Sequence, residues 1–562
     1  MPEGTTQVAA PGKAPGKAPT EAPATIHVTD VLVLGAGSAG CVIAARLSED
    51  GGTQVALIEA GPTAWRDPWI RIPAGFARLY ASGKYDWRYH TEAEPGLDGR
   101  SIHWPRGKVV GGSGAVNGLV FLRGSPRDYD RWAQSGARGW AYDDVLPYFK
   151  RLETWSGEPS EERGTDGPIH AAEARHSSPG AQAFVAAALA MGQKRVKDFN
   201  GAWHEGAGPM QMNVKGGFRS HSGDMFLKPA RRRPNLRIMP DRSIQRLLFE
   251  GNRCIGALVR GPAGLERWEA RRQVVLSAGA IGTPQILMLS GIGDGAQLQE
   301  HGIETRIHSP GVGANLQDHF LQRMRYRVKP CGTVNELVRG PFGKLRMAAR
   351  YAFDRRGPMS IGAAEANLFA RVLPGAEEPD MQYLFVNFTV TSYADGPDPW
   401  PGFMFSACQC RPDSRGTISL RSADPDDKPV IRANYLEAAH DQRLMVEGVK
   451  YARRLAQQGP LAALIEAELT PGPEAHTDAE ILAHIRRDGG TVYHPCGTAR
   501  MGDDAMAPVD PRLRLKGIEG LMIADASVMP LVPSSNIQPA ALMIGERAAA
   551  FLRAPGGIAG AA

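Results

Sequence analysis

Residues 28–61 read VTDVLVLGAGSAGCVIAARLSEDGGTQVALIEAG, and this stretch decides the fold class. An apolar run at residues 31–34 enters a glycine-rich turn at residues 35–40, and a helix-like segment continues to about residue 49. A second apolar run, residues 55–58, ends at Glu59. The order strand, glycine turn, helix, strand and acid is typical of a Rossmann-like dinucleotide-binding unit.

The glycines of this turn suit a backbone that approaches phosphate. Gly35 allows the tight turn, Gly37 lets backbone N–H groups approach a pyrophosphate, and Gly40 permits close packing of helix on strand. Glu59 stands 19 residues after Gly40, where its carboxylate can accept hydrogen bonds from a ribose diol. The stretch therefore predicts dinucleotide binding, and by itself it does not separate FAD from NAD.

Length and composition limit the possible domain count, partners and metal sites. A chain of 562 residues predicts two or three interlocked domains. The formal net charge of +6 is mild, and the basic cluster at residues 231–233 has no basic stripe around it, so no nucleic-acid partner is expected. The six cysteines show no paired metal spacing, so no metal site is expected. Isolated thiols suit a reducing compartment.

The first 25 residues differ in composition from the rest of the chain. They are rich in Ala, Pro, Gly and Lys and hold too little apolar surface to offset ordering, which predicts a disordered tail. The sequence contains no run of about 18 apolar residues, so no membrane span is expected. The cytoplasm is the expected location.

A second informative stretch lies near the end of the chain. Residues 491–502 read TVYHPCGTARMG, and residues 521–546 read LMIADASVMPLVPSSNIQPAALMIGE. His494 and Asn536 are each embedded in turn-rich sequence. A neutral histidine can take a proton, and an amide beside it can hydrogen-bond the oxygen that is left. This pair suits the oxidation of an alcohol if another group accepts the hydride.

Two further segments identify the cofactor through a family resemblance. They are GKVVGGSGAVN at residues 107–117 and GAIGTPQILMLSGIG at residues 279–293. Together with PGVGANLQDH (310–319), RPDSRGTISLRSADP (411–425) and ADAS (524–527), they resemble the glucose–methanol–choline oxidoreductase family of FAD enzymes. The resemblance extends from about residue 29 to residue 551. It adds FAD as the expected hydride acceptor.

The resemblance implies an α/β fold, α+β overall, in which a Rossmann-like FAD-binding domain with a mixed sheet is interleaved with an antiparallel-sheet substrate domain. The expected divisions are a disordered tail at 1–25, the N-terminal part of the FAD domain at 26–323, and the substrate domain at 324–484. A segment at 485–555 returns to the FAD domain with the catalytic pair, and a short tail follows at 556–562. Strand-like runs at 381–390 and 403–408 and a helical stretch at 441–457 fit the substrate domain.

The resemblance also assigns cofactor contacts. The nearly side-chain-free loop at residues 111–114 suits backbone contact with a flat ring or phosphate. The expected FAD-binding residues are Gly35, Ala36, Gly37, Ser38, Ala39, Gly40, Glu59, Ala60, Val109, Gly112, Asn117, Gly118, Leu119, Val120, Ile244, Asp525, Ala526 and Gln538. Trp104 stands near the position where some relatives attach the flavin, and His103 is one place away. Non-covalent FAD is therefore expected.

By the same resemblance the reaction is the oxidation of a primary alcohol to an aldehyde. His494 is expected to take the hydroxyl proton while hydride passes to flavin N5, and Asn536 is expected to orient the substrate oxygen. Because asparagine cannot accept the proton, only His494 can act as the base. Val492, Tyr493 and Glu365 are candidate substrate-pocket residues.

Several alternatives stay open from sequence. On the same fold they are a flavin-containing lyase that cleaves cyanohydrins and a light-driven fatty-acid decarboxylase; a non-enzymatic flavin-binding module is a further reading. Choline is a less favoured substrate than an uncharged alcohol, since a quaternary ammonium needs an aromatic cage and a carboxylate, for which only Tyr493 and Glu365 are candidates. The electron acceptor, O₂ or a quinone or dye, and the oligomeric state are not predicted.

Overall fold

A mixed sheet forms around the glycine turn. The computed structural model describes residues 25–202, 204–391 and 396–554, so the predicted tail at 556–562, and that at 1–25 except its last residue, lie outside the described residues. The sheet has the strand order Leu236–Met239, Val55–Ile58, Thr25–Leu34, Gly264–Leu276, Arg253–Gly261 and Ser243–Glu250, with Leu521–Ile523 also paired to Gly264–Leu276. The first four strands and Leu521–Ile523 run parallel, and the last two pair antiparallel. The predicted mixed Rossmann-like sheet is confirmed.

The predicted glycine packing accounts for the join between the first strand and its helix. Gly35 has φ +106°, in the left-handed region, and a Cβ on Gly40 would lie 1.9 Å from the carbonyl oxygen of Gly35. Only glycine at position 40 lets the helix Ser38–Leu47 approach the strand end this closely. The last helix, Gln538–Arg553, packs on the same helix through Gly545, whose Cβ would lie 2.8 Å from the Ala39 carbonyl oxygen.

A second sheet is antiparallel throughout. Its order is Ile465–Thr470, Phe320–Val328, Gly402–Gln409, Met381–Val386, Ala366–Ala370 and Gly206–Pro209, and Gly490–Thr491 also pairs with Phe320–Val328. The expected boundary at residue 323 falls inside Phe320–Val328. The edge strand Gly206–Pro209 comes from the part of the chain assigned to the FAD domain. The two sheets are therefore interleaved in sequence more finely than the predicted divisions.

Other elements connect these sheets. The remaining strands are short: Tyr89–His90, His103–Trp104, Glu153–Trp155, Ile169–Glu173, Gln211–Met212, Val214–Lys215, Phe218–Arg219, Ile292–Gly293, Ile307–His308, Thr417–Ser419 and Val430–Arg432. The other α-helices are Pro68–Arg71, Gly75–Ser82, Ser113–Val116, Pro126–Gln134, Tyr142–Leu152, Pro179–Ala190, Lys228–Ala230, Gly279–Leu289, Gly295–Glu300, Val334–Arg339, Gly343–Asp354, Ala439–Ala456, Gly459–Ala462 and Asp478–Asp488. Single turns of 3₁₀-helix occupy Pro95–Leu97, Pro358–Ser360 and Ala526–Val528, and Gly223–Leu227 is a π-helical turn.

The core lies on and between the two sheets. The strand residues Val31, Leu32, Val33 and Leu34 are fully buried, as continuous apolar runs in parallel strands require. The helix Ala439–Ala456 packs on the antiparallel sheet, where the helix at 441–457 was expected. Among the described residues, no helix combines the length and apolarity that a membrane crossing needs.

Candidate active site

A long cavity is lined by residues of both sheets and extends from the glycine turn to His494. Of the expected FAD-binding residues, fifteen line it: Gly35, Gly37, Ser38, Ala39, Glu59, Ala60, Gly112, Asn117, Gly118, Leu119, Val120, Ile244, Asp525, Ala526 and Gln538. Val492, Tyr493, His494 and Asn536 line the same cavity. The structure thus brings into one space residues that the sequence separates by up to about 500 positions.

Three expected FAD-binding residues stand behind this wall. Ala36 is fully buried and its N–H donates to Glu59 Oε2 at 2.9 Å. Gly40 serves the helix packing described above. Val109 is fully buried in a small cluster with Ile70. Their roles in the structure are to shape the loops that line the cavity.

Glu59 lies at the glycine-turn end. Its carboxylate accepts hydrogen bonds from the Ala36 N–H at 2.9 Å and from the Gly61 N–H at 2.9 Å, which ties it to the turn. Burial raises the pKa of this carboxyl to about 7, and these hydrogen bonds and Lys108 oppose the rise. A buried carboxylate in this position provides acceptor oxygens for a ribose diol.

The loop at residues 111–117 closes against the glycine turn by glycine contacts. A Cβ on Gly112 would lie 2.7 Å from the Gly37 Cα, and a Cβ on Gly114 would lie 2.8 Å from Gln538 Nε2. Asn117 Nδ2 donates to Gln538 Oε1 at 2.8 Å. Gln538 Nε2 is buried and has no hydrogen-bond partner among the described residues. An unpartnered buried donor on a cavity wall is a position for a ligand acceptor.

Asp525 joins two of the signature segments. Its carboxylate accepts from the Gly279 N–H at 2.8 Å, the Thr283 hydroxyl at 2.6 Å and the Ser527 N–H at 2.7 Å. Asp525 therefore caps the turn Ala526–Val528 while it lines the cavity. Asp525 can therefore hold this turn and still face a ligand in the cavity.

The predicted catalytic pair, His494 and Asn536, meets at the other end of the cavity. Asn536 Nδ2 lies 3.1 Å from His494 Nε2, and His494 is buried. On the far side of the ring, His494 Nδ1 lies 2.9 Å from Nδ1 of His319. His319 Nε2 in turn lies 3.0 Å from the carbonyl oxygen of Cys410. The predicted base thus lies at the end of a hydrogen-bonded chain formed by His494, His319 and the Cys410 carbonyl oxygen.

The chain determines which nitrogen of His494 carries its proton. A carbonyl oxygen only accepts, so His319 Nε2–H donates to Cys410. Burial lowers the pKa of His319 to about 4, so His319 is neutral near pH 7 and its Nδ1 can only accept. His494 must therefore donate from Nδ1, and its Nε2 keeps a lone pair that accepts from Asn536 Nδ2 at 3.1 Å. Burial, then His319 and Arg106, hold the pKa of His494 well below its usual range.

His319 is a candidate functional residue that the sequence reasoning missed. It closes the quoted segment PGVGANLQDH, but its partners are 175 and 91 positions away, at His494 and Cys410. Its neighbour Asp318 accepts from the His494 N–H at 2.6 Å and from the hydroxyls of Tyr435 and Thr491. Asp318 thus holds the backbone of His494, and the adjacent His319 holds its ring.

The turn before the base is held from the other side as well. Tyr493 has φ +67°, and Arg106 Nη2 donates to the Tyr493 carbonyl oxygen at 2.6 Å. The Tyr493 hydroxyl donates to the Tyr80 hydroxyl oxygen at 3.1 Å. A non-glycine residue in the left-handed region needs such support. Here the strained turn sets the orientation of the next residue, His494.

Glu365 lies elsewhere. It lines a second cavity, where its carboxylate accepts from the Ser178 N–H at 2.8 Å, and burial raises its pKa. The acidic residues that line the main cavity, within the described ranges, are Glu59, Asp86 and Asp525. Asp86 is held by His103 Nε2 at 2.8 Å. Glu365 therefore does not supply a carboxylate beside His494.

This geometry defines a class of protein. A dinucleotide cavity that ends at a neutral histidine base, with an amide beside it, is the site of a dinucleotide-dependent oxidoreductase of alcohols. Two family models described as GMC oxidoreductase match residues 29–321 and 412–545. The chain belongs to the GMC oxidoreductase family, as the sequence motifs predicted.

Similar proteins cover nearly the whole chain. An oxygen-dependent choline dehydrogenase of Brucella anthropi is 39% identical over 523 residues, 92% of this chain and 94% of the relative. Pyridoxine 4-oxidase from Mesorbium loti has a similar structure, with a TM-score of 0.84, 33% identity and coverage of 93% and 98%. A variant of Aspergillus oryzae formate oxidase gives a TM-score of 0.88 at 29% identity, with the same coverage. The protein is an FAD-dependent oxidoreductase that acts on alcohols, which confirms the predicted cofactor and reaction class.

Proposed function

We propose that the protein oxidises an uncharged primary alcohol to the aldehyde, with His494 as the general base and Asn536 as the residue that orients the substrate oxygen. The observation that carries the proposal is the relay from the Cys410 carbonyl oxygen through His319 to His494, which leaves Nε2 as a lone pair on the cavity wall. A base that is already neutral near pH 7 takes a proton without first losing one.

The side chains present fit FAD. The Glu59 carboxylate, the contact between Gly37 and Gly112, and the unpartnered Gln538 Nε2 (among the described residues) provide a ribose acceptor, a side-chain-free cradle and a buried donor. When bound, FAD supplies the acceptor for the carbinol hydrogen and its electron pair. We assign the holding of FAD to residues 26–323 and 485–555, and the roof over the substrate to residues 324–484.

The chain's own residues handle the proton. The substrate hydroxyl takes the place of Asn536 Nδ2 beside His494 Nε2, which accepts the hydroxyl proton. Asn536 Nδ2 then donates to the substrate oxygen and fixes its position. The new imidazolium keeps its Nδ1–H bonded to His319, so the charge forms in a site with a prepared acceptor.

The FAD is held without a covalent bond in this proposal. Trp104 is almost fully buried and its indole N–H donates to the Tyr435 hydroxyl oxygen at 3.1 Å. His103 Nε2 is paired with Asp86, and neither Trp104 nor His103 lines the cavity. Acid denaturation followed by filtration tests this, since all the yellow colour should pass the filter.

An uncharged substrate is favoured by the charges beside the base. Arg106 lies close enough to lower the pKa of His494, so a cation at this end meets a like charge. The carboxylate of Glu365, the candidate partner for a quaternary ammonium, is held in the second cavity. Tyr80, Trp87 and Tyr493 give aromatic walls to the main cavity, so the two substrate classes are distinguished here by charge and not by the aromatic lining.

An anaerobic substrate panel tests the proposed function. The holoenzyme is mixed with aliphatic alcohols, benzyl alcohol or choline while flavin absorbance is followed without oxygen. We expect uncharged primary alcohols to bleach the flavin with the largest kred/Kd. A larger value for choline would contradict the substrate proposal, and unbleached flavin with cyanohydrin cleavage would contradict oxidation. Admission of oxygen, or addition of a quinone, then identifies the electron acceptor.

A further inference from the structure

Exposed apolar side chains are concentrated on one helical hairpin. In the described part of the chain, six large hydrophobic residues are exposed, and three of them, Phe342 (77%), Leu345 (66%) and Phe353 (89%), lie on or beside one helix. The hairpin consists of Val334–Arg339 and Gly343–Asp354, joined by a short turn. Such clustering is unusual, because single exposed hydrophobics are normally scattered.

The helix Gly343–Asp354 is apolar on two sides. Its inward side is explained by the fold, since the Tyr351 hydroxyl donates to the Gly217 carbonyl oxygen at 2.9 Å and Met347 lines the second cavity. Phe342, Leu345 and Phe353 lie off that side and face solvent, together with the exposed Ala348 and Ala352. The outward apolar side makes no contribution to the core of this chain.

Basic residues surround the outward apolar side. Residues 334–356 contain six Lys or Arg and two Asp or Glu, an excess of four positive charges in a chain whose formal net charge is +6. Lys344 and Arg346 flank Leu345 and are exposed. Of the two acidic residues, Glu336 is engaged in capping the first helix through Thr333. Apolar side chains among exposed cations are the pattern of helices that lie on anionic lipid surfaces.

A second cavity lies between the hairpin and the active-site cavity. Its volume is about 280 Å³, and its walls include Val334 and Met347 of the hairpin. It shares Phe76, Ala363 and Val386 with the wall of the active-site cavity. The two cavities are thus adjacent, and these shared side chains form the wall between them.

We propose that this hairpin docks the protein on the surface of a membrane that contains anionic lipids. Phe342, Leu345 and Phe353 enter the boundary between head groups and acyl chains, and the flanking Lys and Arg contact the head groups. The excess of four positive charges around the apolar side chains favours an anionic lipid surface as the occupant. Docking places the second cavity next to the bilayer, so apolar alcohols dissolved in lipid reach the active site; this last step rests on the proposed function.

Vesicle binding tests the docking without turnover. The holoenzyme is sedimented with vesicles of phosphatidylcholine alone or with phosphatidylglycerol, and bound protein is read from flavin absorbance. We expect the protein to bind the anionic vesicles, and we expect high salt to release it from them. The variant F342S/L345S/F353S should bind at least about tenfold more weakly, and K344Q/R346Q should lose about fivefold for each charge.

A matched control replaces the other three exposed large hydrophobics, I26S/V28S/M506S. This variant should bind vesicles like the wild type. No binding by wild type, or an equal loss in the control, would overturn the proposal. So would a wild-type dimer, seen by light scattering, that F342S/L345S/F353S converts to monomer, because the hairpin would then be an interface between copies.

The route to the active site has its own readout. F342S/L345S/F353S should oxidise a water-soluble alcohol within about twofold of wild type, because its changes lie on the surface. With a long-chain alcohol carried in anionic vesicles, wild type should be the faster enzyme. If wild type binds the vesicles but oxidises the long-chain alcohol no faster than the variant does, docking is supported and the proposed route from the bilayer to the active site is wrong. If no alcohol reduces the flavin, the proposed function fails while the binding result still decides docking.

Discussion

Replacement of His319 by phenylalanine should slow catalysis although His319 does not itself line the cavity. His319 Nδ1 accepts from His494 Nδ1 at 2.9 Å, and its position depends on the Cys410 carbonyl oxygen at 3.0 Å. Phenylalanine fills similar space but accepts no hydrogen bond. His494 then loses the acceptor that keeps its proton on Nδ1, and the tautomer with a protonated Nε2 becomes accessible. That tautomer cannot take the substrate proton.

The magnitude follows from the hydrogen bond that is lost. A buried donor left without its acceptor costs about 1–3 kcal/mol. At about 1.4 kcal/mol per factor of ten, the ratio of the productive to the unproductive tautomer falls by roughly 5- to 150-fold. We expect this loss in kcat and in kcat/KM alike, with KM little changed, because the proton is transferred in the transition state.

The assay is the anaerobic rate of flavin reduction by the best alcohol of the panel. His319→Asn is the matched variant, since a carboxamide oxygen stands close to where the Nδ1 acceptor was and should recover part of the rate. In a His494→Ala background, His319→Phe should cause no further loss, because His319 acts only through the base. Flavin content and thermal stability are measured for each variant.

Two results would refute this reasoning. A His319→Phe enzyme with kcat within about twofold of wild type would show that the tautomer is fixed by another contact. Equal rates for His319→Asn and His319→Phe, with normal flavin content, would show that the acceptor at Nδ1 has no role.

Three further predictions concern charge and protonation. His494→Ala should keep its flavin yet reduce it about 10²–10⁴-fold more slowly with alcohol; an unchanged rate would remove His494 as the base. Burial raises the pKa of Glu59 to about 7 in the protein without ligand, so FAD affinity, followed by fluorescence, should weaken as pH falls below 7. Glu59→Gln should bind FAD more weakly and lose that dependence, and a parallel pH profile would contradict the assignment. Burial lowers the pKa of His204 and His319 to about 4 and that of His221 to about 3, against 6.5 for a free histidine. Between pH 6.5 and 4 the unfolded chain binds more protons than the folded protein does. The contribution of these histidines to the free energy of unfolding is present in full above pH 6.5 and should be lost as the pH falls, by roughly 3 kcal/mol per histidine at most. A melting temperature that stays level down to pH 4.5 would contradict this.

Local features of the candidate site could be predicted from the sequence because each depends on short-range chemistry. The glycine turn at 35–40 is a backbone requirement, visible as a close approach between Gly35 and Gly40. Glu59 follows from the length of one helix and one strand. The pair His494 and Asn536 was found from residue type and family motif, and the structure places their side chains 3.1 Å apart.

What the sequence missed depends on contacts between distant segments. Nothing local to His319 indicates that its ring faces His494, because that contact is set by strand pairing across 175 residues. Glu365 was selected for its charge, but its side chain leaves the main cavity to meet the Ser178 N–H. The boundary at residue 323 was placed by motif content and cuts the strand Phe320–Val328.

The antiparallel sheet takes part in positioning the base as well as in covering the cavity. Phe320 pairs with Thr491, and Leu321 pairs with Gly490. The residues just before Phe320 therefore lie beside the residues just after Thr491. Asp318 and His319 are therefore delivered to His494 by sheet register. A slip of one residue would turn every side chain of a strand to the opposite face and separate the two Nδ1 atoms. Substitutions that weaken the pairing of Phe320–Val328 with Gly490–Thr491 should thus lower kcat before they loosen FAD, since the FAD-lining glycines belong to the other sheet's loops.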